Sequence, residues 1–140
     1  MRQLFLDTNF VVALNAVDDQ SHTLAVDGWA AVLSSRSSLV TTTFVLDETV
    51  TFLNSRGLHR LAVEVGTQLL QSSAILMVHV DPTLLSQGWS YFTRHADKRY
   101  SLTDCISFTV MQQRKMREAL TFDQHFTQAG FEIAQVFRPE

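Results

Sequence analysis

The segment Leu4-Phe5-Leu6-Asp7-Thr8-Asn9 decides the fold class, because an apolar run of strand length ends there at an acid. Residues 11–14 (VVAL) then resume the apolar pattern, which predicts a buried strand that leads into a helix. In open α/β sheets, ligands bind in the crevice just outside the carboxyl ends of the strands. Asp7 is therefore either a ligand-binding acid or only the N-cap of the next helix, a common role for Asp.

Strands and helices alternate along the rest of the chain. Periodicity and turn residues predict strands at 4–6, 39–42, 74–80 and 119–122, with a further edge strand at 133–137. Helices are predicted after Asp7 and at 21–36, 43–55, 58–71, from 82 onward, 101–116 and 123–130. The strand at 74–80 is nearly continuous in apolar residues, as expected for a strand covered on both faces. This alternation predicts a three-layer α/β fold with a mostly parallel central sheet flanked by helices.

The composition is that of a single soluble domain, expected to span residues 1–137 with a short tail at 138–140. No apolar run approaches the roughly 20 residues of a membrane span, so no membrane association is expected. Cys105 is the only cysteine, which excludes an intrachain disulfide framework and makes a cytoplasmic location the expectation. The net charge of −3 argues against a strongly basic nucleic-acid binder.

Glu48 is the second informative acid. On a helix that turns about 100° per residue, Phe44, Val45 and Phe52 lie within roughly 60° of it. Asp47 instead shares a polar stripe that can reach solvent. A carboxylate aimed into apolar surroundings is normally paired, protonated or bound to a metal. Since no basic residue shares its face, Glu48 is a candidate functional residue.

Two more acids stand at predicted element ends. Asp123 follows the strand at 119–122, and Asp104 begins the helix that leads into that strand. Each has a structural alternative, because Ser101-x-x-Asp104 fits a capping box and Asp123 could be an N-cap. The carboxyl ends of parallel strands share one edge of the sheet, so these acids can converge with Asp7. Converging carboxylates repel unless a cation is present, and Mg²⁺ or Mn²⁺ held this way can promote phosphodiester hydrolysis.

Four segments in this order resemble the PIN-domain family, most closely the VapC-type toxin ribonucleases of toxin–antitoxin pairs. They are residues 4–9 (LFLDTN), 42–49 (TTFVLDET), 100–105 (YSLTDC) and 119–126 (ALTFDQHF). The resemblance implies a parallel sheet flanked by helices and an Mg²⁺- or Mn²⁺-dependent endoribonuclease. It carries over four catalytic acids, Asp7, Glu48, Asp104 and Asp123, among which Asp7 and Asp104 are the surest metal ligands.

The same resemblance implies protein partners: a cognate antitoxin with a segment across the active-site groove, and a second copy in a homodimer. Binding of a helix in a groove would suit the surplus of apolar helical surface. Three alternatives remain open. They are a PIN-type RNA-processing nuclease without an antitoxin, a non-catalytic interaction module, and a Mg²⁺-dependent phosphatase. Against the phosphatase, residues 7–9 lack its Asp-x-Asp-x-Thr pattern.

Some neighbours of the four acids are weaker candidates for the site. Thr8, Asn9 and Thr103 could support the metal ligands or bind a phosphate, or they could only cap helices. Asp97 resembles an acid that often precedes the third motif in the family. His125 could carry a proton near neutral pH, although packing or capping is the simpler interpretation.

The positive charge is unevenly distributed. Six of the eleven Lys and Arg residues fall between Arg94 and Arg117. Arg94, Lys98 and Arg99 within this window could contact RNA phosphates. A solvated helix face is the alternative, in which Asp97 is a surface partner of Arg94 or Lys98.

Overall fold

The computed structural model describes residues 2–134. Its strands are β1 Gln3–Leu6, β2 Ser38–Thr42, β3 Ile75–Val78, β4 Glu118–Leu120 and β5 Glu132–Ile133. Its helices are α1 Thr8–Asn15, α2 His22–Ser35, α3 Thr43–Ser55, α4 His59–Gln71, α5 Pro82–Arg94, α6 Leu102–Gln113 and α7 His125–Gln128. None of these helices is long and apolar enough to cross a membrane.

The five strands form one parallel sheet in the order β3-β2-β1-β4-β5. Successive residues of β1 point to opposite faces: Leu4 and Leu6 pack on one face and Phe5 on the other. Helices α1, α2 and α4 cover the first face, whereas α5, α6 and α7 cover the second. The predicted three-layer α/β fold with a parallel sheet is therefore confirmed.

The strand order changes direction at β1. From β1 the chain adds β2 and β3 on one side, then returns to place β4 on the other side. The gap between the carboxyl ends of β1 and β4 is the switch point at which ligands bind in open α/β sheets. Asp7 and Asp123 follow these two strands, so the topology brings both acids to this gap.

Strand β3 is shorter and more exposed than the sequence indicates. The prediction of a strand at 74–80 covered on both faces is wrong, because β3 spans Ile75–Val78 and Leu76 is 47% exposed. The reason is topological, since β3 is an edge strand with a neighbour on one side alone. At the opposite edge, β5 begins at Glu132, and residues 135–137 of the predicted last strand lie outside the described residues.

Helix α6 ends at Gln113, earlier than the predicted boundary near residue 116. Lys115 has a φ of 56°, a left-handed conformation that stops the helix before β4 begins. Cys105, near the start of α6, is a buried free thiol that packs as a small residue of the core.

Helices α5 and α6 approach closely at Gly88. A Cβ atom at this position would lie 2.5 Å from Ile106 Cγ1 and 3.3 Å from Ile106 Cα. Because the backbone of α6 cannot retreat without disturbing the core, the absence of a side chain at residue 88 sets the spacing of the two helices.

We expect Gly88→Ala to destabilise the protein by about 1–3 kcal/mol, since overpacking outweighs the gain of about 1 kcal/mol in helix propensity. Urea unfolding followed by circular dichroism measures the effect. Ser86→Ala, at an exposed position of α5, is the matched control and should leave stability unchanged. A Gly88→Ala protein as stable as the wild type would contradict this packing argument.

Candidate active site

Asp7 occupies the N-cap position of α1, yet its side chain makes no capping hydrogen bond. Its carboxylate is 4% exposed and accepts a hydrogen bond of 2.8 Å from the Thr121 hydroxyl. The pKa of Asp7 is raised from 3.8 to about 7, mainly by burial and in part by the nearby Asp104 and Glu48 carboxylates, against the effect of Thr121. The interpretation of Asp7 as only a helix cap is therefore wrong.

Thr121, which the sequence analysis did not single out, links β4 to the start of α1. Its hydroxyl lies 3.2 Å from Asn9 Oδ1 and accepts a hydrogen bond of 3.0 Å from the Asp123 amide. Asn9 Oδ1 in turn accepts a hydrogen bond from the Phe122 amide. The only signal in the sequence was a polar residue within the predicted strand at 119–122. In the structure Thr121 is fully buried. These contacts fix the carboxyl ends of β1 and β4 relative to each other.

Asp104 both caps a helix and faces the other acids. Its Oδ2 accepts a hydrogen bond of 3.1 Å from the Ser101 amide, and the Ser101 hydroxyl accepts one from the Asp104 amide. The same oxygen lies 3.0 Å from His125 Nδ1. Burial raises the pKa of Asp104, with a further contribution from Asp123. The predicted capping box is thus present. It also holds the Asp104 carboxylate toward the other acids, which a capping role alone does not explain.

Asp123 also combines two contacts. Its Oδ1 accepts a hydrogen bond of 2.9 Å from the His125 amide, which caps the turn into α7, while Oδ2 lies 3.4 Å from His125 Nδ1. As a result α7 begins at His125 rather than at the predicted residue 123. The side chain of Asp123 remains 30% exposed toward the cleft.

Glu48 lies half-buried on α3, so the expectation of a carboxylate aimed into apolar surroundings is wrong. It lines the same cleft as Asp7 and Asp104, with Phe52 one helical turn later. Asp47 is exposed and accepts a hydrogen bond from Thr51, as its polar stripe indicates. The side-chain direction of Glu48 is explained by the acid cleft rather than by the apolar core.

All four predicted acids line one cleft of about 320 Å³. Its walls come from the residue that follows β1, from α1, α3 and α6, and from the segments after α1 and β4. The lining residues are Asp7, Thr8, Asn9, Val12, Asp19, Glu48, Phe52, Asp104 and Asp123. Asp19, in the loop between α1 and α2, was missed by the sequence analysis because nothing in that polar loop marks it. A larger groove of about 440 Å³ lies between α3 and α4, and its walls are mainly apolar.

The donors in this cleft fit a divalent cation. Asp104, Asp123 and His125 each offer one ligand atom, and these atoms lie within 4.8 Å of one another. Carboxylate oxygens are the ligands that Mg²⁺ and Mn²⁺ prefer, and imidazole is compatible with Mn²⁺. The Thr8 hydroxyl is buried on the cleft wall and has no hydrogen-bond partner within residues 2–134. A cation or its bound water would satisfy this hydroxyl and neutralise the repelling acids.

The other candidates lie apart from the cleft lining that the described residues form. Asp97 is exposed and pairs with Lys98 at 3.8 Å, which is its simpler interpretation. Arg94 donates to the Ser90 carbonyl. The Thr103 carbonyl accepts a hydrogen bond from Ser107 within α6. Their roles in metal support or RNA binding, and that of the exposed Arg99, stay predictions.

Comparisons with known proteins agree with this geometry. The model of the PIN domain family matches residues 4–132. The chain is 38% identical over 128 residues to the 23S rRNA-specific endonuclease VapC20 of Mycobacterium tuberculosis, covering 91% of this chain and 95% of that protein. The crystal structure of that VapC20, described as a Sarcin-Ricin loop cleaving toxin, superposes with a TM-score of 0.82 at 34% identity, covering 91% and 95% of the two chains.

A more distant structure shares the fold alone. FitAcB from Neisseria gonorrhoeae superposes with a TM-score of 0.61 at 18% identity, over 97% of this chain and 99% of that chain. The resemblance first inferred from four short motifs therefore extends over nearly the whole chain.

The raised pKa of Asp7 predicts how stability depends on pH when no divalent ion is bound. The folded state keeps a proton on Asp7 that the unfolded state releases above pH 3.8, so stability should fall as the pH rises from there to about 7. The loss should be on the order of a few kcal/mol, and Asp7→Asn should remove most of it. Urea unfolding in EDTA at a series of pH values measures both proteins. An equal pH dependence in the variant would contradict the assignment.

Proposed function

Because the chain belongs to the PIN-domain family and is a VapC-type toxin endoribonuclease, we propose that its acid cleft hydrolyses RNA with Mg²⁺ or Mn²⁺ held on Asp7 and Asp104. The observation that carries this proposal is the convergence of four acids from separate elements on one cleft. Such a site is expected where strand ends meet at a topological switch point.

Each acid has a role that follows from its surroundings. Asp7 and Asp104 are the most buried of the four, so a cation would relieve the largest desolvation cost there. Thr121 holds the Asp7 carboxylate, and Ser101 holds that of Asp104. Glu48 and Asp123 are more exposed, and they complete the ion's coordination or orient the attacking water. A bound divalent ion supplies an activated water and stabilises the leaving oxygen.

Ribosomal RNA is the proposed substrate class. VapC20, which shares 38% identity with this chain over 91% of its length, is named as specific for 23S rRNA. We propose that Arg94, Lys98 and Arg99 contact RNA phosphates beside the cleft. They lie at the end of α5 and in the segment just before the Ser101–Asp104 capping box, so they are close in sequence to a cleft acid. An RNA substrate and a reduced thiol at Cys105 both suit the cytoplasm.

We expect Asp104→Asn and Glu48→Gln to lower the rate of RNA cleavage by about 100-fold or more, because each removes a charge that acts on the ion or the water. EDTA should abolish cleavage, and Mg²⁺ or Mn²⁺ should restore it. The measurement is cleavage of purified 23S rRNA by the purified protein, with sites mapped by primer extension.

Asp47→Asn is the matched control, since Asp47 neighbours Glu48 on α3 but faces solvent. This variant should cleave at the wild-type rate. Cleavage that persists in EDTA or in Asp104→Asn would contradict the proposed mechanism. Cleavage of mRNA but not of 23S rRNA would contradict the substrate class alone.

We also propose a cognate antitoxin and a homodimer. The apolar groove between α3 and α4 exposes Val63 and Leu70 at 54% and 57%, and it suits an amphipathic helix of the antitoxin. Helix α3 forms a wall of both this groove and the acid cleft, so one bound chain can cover both. On α5, the exposed rings of Trp89 and Phe92 stack at 5.5 Å, and they offer an apolar patch to a second copy.

Co-expression with a candidate antitoxin, sought among small proteins encoded beside this gene, tests both partners through the mass of the purified complex, measured by light scattering. The double variant V63E/L70E should lose the antitoxin and remain a dimer. The double variant W89E/F92E should become a monomer and retain the antitoxin, because the two surfaces are separate. Each variant thus serves as the control for the other. If one of the two double variants leaves the complex unchanged, the assignment of the surface that carries those substitutions would be contradicted.

A further inference from the structure

His125 lies between two of the cleft acids, although the proposed mechanism gives it no role. Its Nδ1 is 3.0 Å from Asp104 Oδ2 and 3.4 Å from Asp123 Oδ2. Its own backbone amide donates to Asp123 Oδ1. A single residue therefore contacts the carboxylates at the starts of both α6 and α7.

The orientation of this ring is fixed by packing. Tyr100 packs against it in a T-shaped arrangement, with ring centroids 5.3 Å apart and an angle of 79° between the planes. The His125 side chain is 27% exposed, so most of its surface is in contact with the protein. An edge-to-face contact of this kind is a favoured geometry for a pair of aromatic rings. The position of Nδ1 relative to the two acids is thus set by the fold rather than by solvent.

The chemistry of the contact determines the direction of the hydrogen bond. An ionised carboxylate has acceptor atoms only, so Nδ1 must carry the proton and donate it to Asp104 Oδ2. The Ser101 amide donates to the same oxygen. Since both donors use Oδ2, an ion held by Asp104 would take the other oxygen, Oδ1. Ligating carboxylates are commonly fixed by such outer hydrogen bonds.

We propose that His125 is a positioning residue, which donates through Nδ1 to Asp104 and thereby presents Asp104 Oδ1 to a divalent ion. This inference rests on the proposed function, because it assigns Asp104 as a metal ligand. The proposal differs from direct ligation of the ion by the imidazole, which the spacing of Asp104, Asp123 and His125 would also allow.

Three variants separate the hydrogen bond from the shape of the ring. His125→Asn places an amide nitrogen near the position of Nδ1 and keeps the donor. His125→Phe keeps a ring against Tyr100 and removes the donor. His125→Gln is polar, but its longer chain carries the amide beyond the position of Nδ1. Should the Phe variant fail to fold, the Asn and Gln variants give the same comparison.

The readout is the affinity for Mn²⁺ alone, measured by electron paramagnetic resonance without RNA. Loss of an outer hydrogen-bond partner typically weakens metal binding by about 10–100-fold. We expect a loss of this size in the Phe and Gln variants, with near wild-type affinity in the Asn variant. Electron spin echo spectra of the wild type should lack coupling between Mn²⁺ and an imidazole nitrogen.

Two results would overturn the proposal. One is an unexpected order of Mn²⁺ affinities, in which the Phe or Gln variant binds as tightly as the wild type or the Asn variant binds as weakly as the Phe and Gln variants. The other is nitrogen coupling in the wild-type spectrum, which would make His125 a ligand. Failure of the proposed function gives a different pattern: the wild type and its variants would show the expected order of Mn²⁺ affinities, and the wild type would not cleave RNA.

Discussion

The burial of the Asp7 carboxylate beside Asp104 is the constraint on which the candidate active site depends. Burial, with a smaller contribution from the neighbouring acids, raises the pKa of Asp7 to about 7. A folded domain tolerates such an arrangement when hydrogen bonds and a cation offset the cost. Thr121 supplies the hydrogen bond from the adjacent strand. The desolvation and the repulsion between acids at this edge of the sheet are thus the same properties that would favour a bound divalent ion, as proposed above.

The parallel sheet brings the starts of separate helices together at one site. Asp7 and Asp123 follow β1 and β4, the two strands at the point where the strand order reverses, and Asp104 is held by the capping box of α6. Asp104 therefore both caps a helix and lines the cleft, so a capping role does not compete with its proposed role in the site. Glu48 joins them from α3, whose opposite side forms the apolar groove. This arrangement couples a surface suited to a partner chain with the site that such a partner would inhibit.

Sequence patterns predicted the parallel α/β fold because alternating strands and amphipathic helices are local features. Asp7, Asp104 and Asp123 followed from their places at element ends, and Glu48 followed from its face on a helix. Three features depend on tertiary neighbours and could not be read locally. Leu76 is exposed because β3 lies at the sheet edge, which its apolar run does not reveal. Glu48 lines the acid cleft, which exists only once α1, α3 and α6 assemble. The contact of His125 with Asp104 joins residues that are 21 positions apart.

The most direct test of the account is the position of Mn²⁺ in crystals grown at a saturating concentration of this ion, located by its anomalous scattering. The account predicts a peak in the acid cleft, within roughly 2–2.5 Å of carboxylate oxygens of both Asp7 and Asp104. It also predicts that the peak disappears in crystals of the Asp104→Asn protein. A cleft without anomalous density, or a peak that remains in the variant at full height, would contradict the claim that these buried acids hold the ion.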